Sequence, residues 1–381
     1  MSAPAAIPAG RHTADNFLAA VQPFHLVYFL LNVGDGDSQL VLLPEEPSGR
    51  RRLIVVDVAR KGKTVGLIAV LEAVGLVGPA PAPGEDPDGS LALVVATHPH
   101  TDHIDGMAEL LSTQRRRLAE FWDPGYFHTS QRYHQMMTEV EANSVLGYAQ
   151  PTAGYRRWFG TALVTVLSPA VGLRNRFDTY GTEVNDSSIS LRLEFPAARV
   201  VQRGTERELI QQPRTMALIM GADAQTLSWS WVLTDFPQLH TNENAAAKAI
   251  QAATGADPLA AKVLKVSHHA SKHGINLELV ERIDPALTLV SSTADGDRFH
   301  FPHMVAQELL REARDPVAGS GAARVRSDPD LGIFYTSDEE DTGTLLGSMA
   351  VVMGRGVATL WRFGDDTGDD VDLTQGRRFT G

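Results

Sequence analysis

Three of the thirteen histidines in this sequence fall within six residues, His98-Pro-His100-Thr-Asp102-His103, directly after the apolar run Leu93-Val-Val-Ala. Imidazole and carboxylate are the donors that hold borderline divalent cations. The chain has no cysteine, so any metal site it builds is of the imidazole and carboxylate kind. In an extended segment His98 and His100 face the same way, and a turn after them swings Asp102 and His103 to a neighbouring position. The stretch therefore carries donors for two cations side by side.

A second stretch, Val263-Leu-Lys-Val-Ser-His268-His269-Ala-Ser-Lys-His273, is again an apolar run opening into histidines, and a third, Ala217-Leu-Ile-Met-Gly221-Ala-Asp223-Ala-Gln, ends in a glycine turn and a carboxylate. Each sets a potential ligand at the end of a β-type run. A sheet that lines these ends along one edge gathers them into a single site. Two adjacent dications there would lower the pKa of a shared water from about 15.7 towards neutrality and give a metal-bound hydroxide nucleophile. They would also stabilise a departing oxyanion. That chemistry suits phosphodiesters, lactones, thioesters and amides alike.

The elements that must position these residues follow from the apolar runs. Strands are expected at His25–Leu31, Gln39–Leu43, Leu53–Val58, Leu91–Ala96, Leu163–Leu167, Ser187–Leu193, Thr215–Met220 and Val263–Val266. Helices are expected at Val65–Leu76, Gly106–Glu120, Glu243–Thr254 and Met304–Ala313, and β-like pieces at Gly332–Tyr335 and Met349–Trp361. Gly78–Ser90 reads as a surface loop. Residues 1–23 read as a loose N-terminal arm, 24–312 as the main domain with an insertion over 104–180, and 313–381 as C-terminal strands followed by a mobile acidic tail. At 43% hydrophobic and 21% charged residues the composition is globular, and a net charge of −12 argues against a non-specific DNA binder. No apolar run approaches the roughly 20 residues that span a bilayer, so no membrane insertion is expected. Met1–Ala20 lacks the pattern of a secretory signal, and the expectation is a soluble, cytoplasmic protein.

His98-Pro-His100-Thr-Asp102-His103 is the signature of the metallo-β-lactamase fold superfamily, and further motifs resemble its ComEC-like branch. These are Asn32-Val-Gly-Asp-Gly-Asp-Ser38, Leu53-Ile-Val-Val-Asp57, Val184-Asn185-Asp-Ser-Ser188, Gly221-Ala-Asp223-Ala-Gln and Leu264-Lys-Val-Ser-His268-His269-Ala-Ser, in the family's order over about residues 24–312. The resemblance does not extend to the membrane-channel part of a competence protein, and a hydrolase module alone is expected. The resemblance implies a four-layer α+β sandwich (αββα), two mixed β-sheets face to face with helices on both outsides and the site at one edge. It implies that His98 and His100 hold metal 1, that Asp102, His103 and His268 hold metal 2, and that Asp223 bridges, with Asp235 the rival bridge. Asp57 and Asn185 would stand behind the ligands. Asp102, His269, Lys272, His273 and His300 are the further catalytic candidates, His273 and His300 as proton donors to a leaving group and Lys272 as a phosphate partner. The cofactors implied are two divalent ions, zinc first and manganese second.

The sequence also departs from that pattern. Ala270 stands where the family has Gly, Ala222 is inserted in the Gly-Asp turn, and Phe301 stands where a His-Pro-His motif has its first His. The third His of metal 1 has no clear counterpart, which implies a weaker first site. The leading expectation is a dinuclear hydrolase of a phosphate ester or nucleic acid. The alternatives are a lactonase, thioesterase or amidase on the same fold, and a metal-stabilised module that binds a protein partner through the arm and the acidic tail. The runs Arg50-Arg51-Arg52 and Arg115-Arg116-Arg117, and the aromatics Phe121, Trp122, Tyr126, Phe127, Tyr133, Tyr155 and Trp158, are the candidates for contacting phosphate or bases. His128 and His134 are the candidates for completing site 1. Oligomeric state is not legible.

Overall fold

The computed structural model describes residues 7–174, 183–196, 198–204, 206–211, 216–236, 257–293, 301–315 and 327–380. The helix expected at Glu243–Thr254 and the candidate His300 lie outside them. Two mixed sheets form the centre. The first has ten strands in the order His12–Ala14, Arg377–Phe379, Val357–Arg362, Met349–Gly354, Leu26–Leu30, Ser38–Leu42, Leu53–Val58, Leu91–Val95, Glu120–Trp122, Gly147–Ala149. The second has seven, in the order Ile333–Tyr335, Leu287–Val290, Val263–Lys265, Met216–Met220, Ser190–Phe195, Ala162–Ser168, Arg156–Phe159. Ala198–Arg203 and Glu206–Gln211 pair separately as a hairpin.

Alternation along each strand explains the layers. Leu26, Tyr28 and Leu30 face the space between the sheets, where they meet Val164, Leu191, Leu218 and Leu289 of the second sheet. Val27, Phe29 and Leu40 face outwards and are covered by the helices Lys63–Ala73, Met107–Thr113 and Gln131–Glu141. On the far side Thr226–Asp235, Leu277–Ile283 and Met304–Arg314 cover the second sheet through Trp229, Leu279 and Leu310. Strands buried on both faces read as unbroken apolar runs, which is why they were visible in the sequence. Each fully buried Leu or Phe adds about 1.5–3 kcal/mol. The helices-outside, sheets-inside sandwich is the expected one.

Four expectations change. The N-terminal arm is not loose where it is described: Ile7 is buried, His12–Ala14 pairs with Arg377–Phe379, and Phe17, in the short helix Phe17–Ala20, is 1% exposed. Residues 104–180 are not an insertion beside the sheets but supply strands to both of them. The helix expected at Gly106–Glu120 stops at Thr113, because Arg115 and Arg117 turn to pair with Glu139 and Glu72 while Glu120 opens a strand. The acidic C-terminal stretch is structural as well: Asp338 accepts from buried Arg362 at 3.1 Å, and Asp365 pairs with buried Lys63 at 2.8 Å.

Candidate metal centre

Parallel register puts the carboxyl ends of Met216–Met220, Val263–Lys265 and Leu287–Val290 at one edge of the second sheet. The ends of Leu53–Val58 and Leu91–Val95, also parallel, come to the matching edge of the first. The Ile189 N–H donates to the Thr97 carbonyl at 3.0 Å and ties the two edges together. Glycine makes the close approach workable: a Cβ on Gly36 would stand 2.7 Å from the Asp102 carbonyl oxygen, and one on Gly221 would meet the Ser267 hydroxyl at 2.2 Å.

Asp223, 1% exposed, is at the centre. Its Oδ1 lies 3.1 Å from His103 Nε2 and 3.7 Å from His269 Nε2, and its Oδ2 lies 3.7 Å from His98 Nε2 and 3.6 Å from His268 Nε2. Asp102 Oδ2 is 3.8 Å from His103 Nε2 and 3.7 Å from His269 Nε2. His98 Nε2 is 3.1 Å from His100 Nδ1. Two groups of donors meet at Asp223, each within 4.8 Å: Asp102, His103, Asp223 and His269, and His98, His100 and Asp223; a third, Asp37, Asp57 and His103, lies behind them. Among the described residues His103 Nε2, His269 Nε2 and Asp223 Oδ1 are buried and make no well-aligned hydrogen bond, only the approaches of 3.1–3.8 Å to one another and to Asp102. Orphaned donors of this kind are costly unless something fills the space between them. The separations bracket the roughly 3.4 Å edge of a tetrahedron with ~2.1 Å metal–ligand bonds. The residues fit divalent metal ions.

The rings are fixed from behind. Asp57 Oδ2 is 2.8 Å from His103 Nδ1 and also accepts the Thr97 hydroxyl at 2.7 Å, which in turn lies 3.1 Å from His98 Nδ1. His269 Nδ1 is 3.0 Å from the Ser291 hydroxyl, which donates to Asp37 at 2.5 Å, and Asp37 is paired with buried Lys265. Holding Nδ1 leaves Nε2 aimed at the metal position. Charge is arranged to match. Burial pushes His103 down, but the Asp223 and Asp57 carboxylates outweigh it and raise its pKa well above the usual imidazole value. Burial and the His103 charge hold His98 well below that value. Burial would raise Asp223, yet the surrounding imidazoles keep it well below the usual carboxylate range. The proton held among these carboxylates is one that a bound cation replaces.

Backbone strain concentrates here. Of the seven non-glycine residues with positive φ among those described, Asp57, Ala222, His268, His269 and Ala270 belong to this edge. Side chains in the left-handed region persist only where their surroundings over-determine them. The turn is tied down by His268 N–H to the Ala222 carbonyl at 2.8 Å and by His303 N–H to the Ala270 carbonyl at 2.9 Å.

The site residues expected from the sequence divide clearly. His98, His100, Asp102, His103 and Asp223 are brought together, with Asp57 directly behind. His268 was expected beside Asp102 and His103; the imidazole that lies with them is that of His269, and with φ of 50 and 51 at the turn His268 faces the other oxygen of Asp223. Asn185 lies beside His268, with its Nδ2 3.4 Å from Nε2. Lys272 and His273 are exposed and outside the cluster. Asp235 is exposed at a helix end and does not bridge. The two Arg runs are engaged elsewhere, Arg50 on the Asp88 carbonyl, Arg52 on Glu46, and Arg116 on the Ala82 carbonyl. Phe121, Trp122 and Tyr126 are core, whereas Phe127 is 66% exposed. The Phe301 ring packs 5.1 Å from His268 and 5.8 Å from His269. The sequence reading missed Asp37, Lys265, Ser291 and Thr97. A lysine inside the apolar run Val263-Leu-Lys-Val was the available signal.

No family profile matches the chain, and no curated protein matches its sequence. Among solved structures it is similar to the metallo-β-lactamase fold protein YhfI from Bacillus subtilis, at 11% identity over 77% of this chain and 94% of that one, with a TM-score of 0.37. It is similar to a long form RNase Z from yeast, at 12% identity over 71% of this chain and 37% of that one, TM-score 0.35. A diphosphatase from the PhnP family shares 10% identity over 82% of this chain and 96% of that one, TM-score 0.32. At such values the likeness says nothing about what this chain acts on; the chemistry has to be read from the clustered donors themselves.

Proposed function

We propose that this chain is a dinuclear metal-dependent hydrolase of the metallo-β-lactamase type, of the ComEC-like branch that its motif order resembles, and that its substrates are phosphodiesters. The observation that carries the reading is one buried carboxylate, Asp223, whose two oxygens face two separate sets of imidazoles. His98 and His100 would hold one ion, Asp102, His103 and His269 the other, and Asp223 both. Two such ions supply Lewis acidity and a water acidified to near-neutral pKa, and zinc suits the imidazole-rich donors, with manganese the alternative.

The chain's own residues do the rest. Asp57, and Ser291 backed by Asp37 and Lys265, hold His103 and His269 in one orientation, so that no reorganisation is needed at the moment of reaction. The Asp102 side chain is 37% exposed while His103, His269 and Asp223 are buried, so substrate and water enter from the Asp102 side. A second reading, hydrolysis of a carboxylic ester, lactone or thioester, is favoured by the engagement of both Arg runs away from the cluster.

Elemental analysis of protein purified without chelator, paired with turnover of bis-p-nitrophenyl phosphate and of a p-nitrophenyl acyl ester, tests both. About two metals per chain are expected, with phosphodiester turnover that chelator removes and metal restores. Asp223→Asn is expected to cut turnover on the order of 100-fold or more while the fold remains. Turnover of the acyl ester alone selects the second reading, and failure to bind metal sinks both.

A further inference from the structure

The set His98, His100 and Asp223 has one donor fewer than the Asp102, His103, Asp223 and His269 set. Among the described residues two imidazoles stand near enough to add a third imidazole to it. His128 lies with its ring 6.4 Å from that of His100, half-buried, and its Nδ1 already accepts the Ser130 N–H at 3.2 Å. His268 lies with Nε2 3.6 Å from Asp223 Oδ2, the same oxygen that faces His98 Nε2 at 3.7 Å. Beside it lie the Phe301 ring, with centroids 5.1 Å apart, and the amides of Asn185 and Gln225, each at 3.4 Å, too long to hold the ring firmly by hydrogen bonding. The ring is 15% exposed where the His269 ring is fully buried.

We infer that the adjacent histidines His268 and His269 are divided between the two metal positions, His269 serving the one built on Asp102 and His103, and His268 supplying the missing third imidazole to the one built on His98 and His100. The strained turn is what makes the division workable. In an extended exit, adjacent side chains face opposite ways and only one of the two reaches the site. With φ of 50, 51 and 61 at His268, His269 and Ala270 the backbone curls instead, and the two rings stand 6.3 Å apart at 75° on either side of Asp223. The two positions are then unequal. His103 and His269 are backed through Nδ1 by Asp57 and by Ser291, whereas the polar contacts of the His268 ring among the described residues, Asp223 apart, are two long ones to amides, so the position that uses His268 fills second and empties first.

This inference rests on the dinuclear reading above, and stepwise zinc titration with elemental analysis separates the two. The wild type is expected to bind about two ions in two steps. A wild type that binds none overturns the dinuclear reading and this inference with it. His268→Ala, and His268→Asn as a variant that tolerates the left-handed backbone, are expected to keep the tight step and weaken the other on the order of 100-fold. His128→Ala is expected to leave both steps unchanged. Adding His98→Ala to His268→Ala is expected to add little, because both act on one position. Cobalt substitution is expected to show the absorption of the Asp102, His103 and His269 position unaltered in the His268 variants. Two unchanged steps in both His268 variants, loss of the tight step instead, or a weakened step in His128→Ala would each overturn the division.

Discussion

Ala270 shows what a single side chain reveals at this site. Its φ of 61 is a glycine conformation occupied by an alanine, at a position where the resembling motif carries Gly. Ala270→Gly is expected to stabilise the protein by about 0.5–1 kcal/mol, since the left-handed penalty exceeds the extra freedom of the unfolded chain. Chemical denaturation checks this, with metal content unchanged; destabilisation would mean that the turn needs the buried methyl more than it needs relief. The clustered donors His98, His100, Asp102 and His103 were legible because six consecutive residues carry them. The choice between His268 and His269 was not, because it depends on the hand of a turn that no spacing rule encodes. Asp37 was still less legible as a support, since its partners Lys265 and Ser291 stand 228 and 254 residues away.

At the scale of elements, the site depends on how closely strand exits and loops approach one another. Gly36 is in contact with the turn that carries Asp102, and a Cβ there would lie 2.8 Å from that of Ala59 as well as against the Asp102 carbonyl. Gly36→Ala is expected to cost about 1–3 kcal/mol through forced displacement and to lower occupancy of the position served by Asp102. Thermal unfolding of the metal-free protein and metal content together check it; a loss of stability with full occupancy would show that the loop, not the ligand turn, gives way. Central strands such as Leu26–Leu30 and Leu91–Val95 were visible because both faces are apolar. Short edge strands such as Gly147–Ala149 and Arg156–Phe159, largely exposed, had no such pattern to give them away.

At the scale of the whole molecule, residues near both ends are built into the first sheet, and His12 carries a consequence. It is buried between the rings of Phe334 and Phe379, and neither ring nitrogen has a hydrogen-bond partner. Burial, with the charges of Arg362, Arg377 and Arg11, pushes its pKa from 6.5 down to about 3. The folded chain thus keeps His12 neutral while the unfolded chain takes up a proton below 6.5. The stability this group contributes is present above that value and drains away as the pH falls from 6.5 towards 3. His12→Leu is expected to flatten that part of the stability profile, read as the denaturant midpoint at successive pH values; an unchanged slope would remove His12 as its source.

The pairing of His12–Ala14 with Arg377–Phe379 also sets how the molecule meets a mechanical load. Because His12 faces Phe379 and Ala14 faces Arg377, the chain leaves both strands at the same end of the ladder. Tension between the termini therefore opens those hydrogen bonds one after another, like a zipper, rather than loading them together in shear. Behind this ladder the C-terminal side leads into Val357–Arg362 near the edge of the sheet, while the N-terminal side leads into Leu26–Leu30 in its middle, so the edge would open before the load reached the central strands.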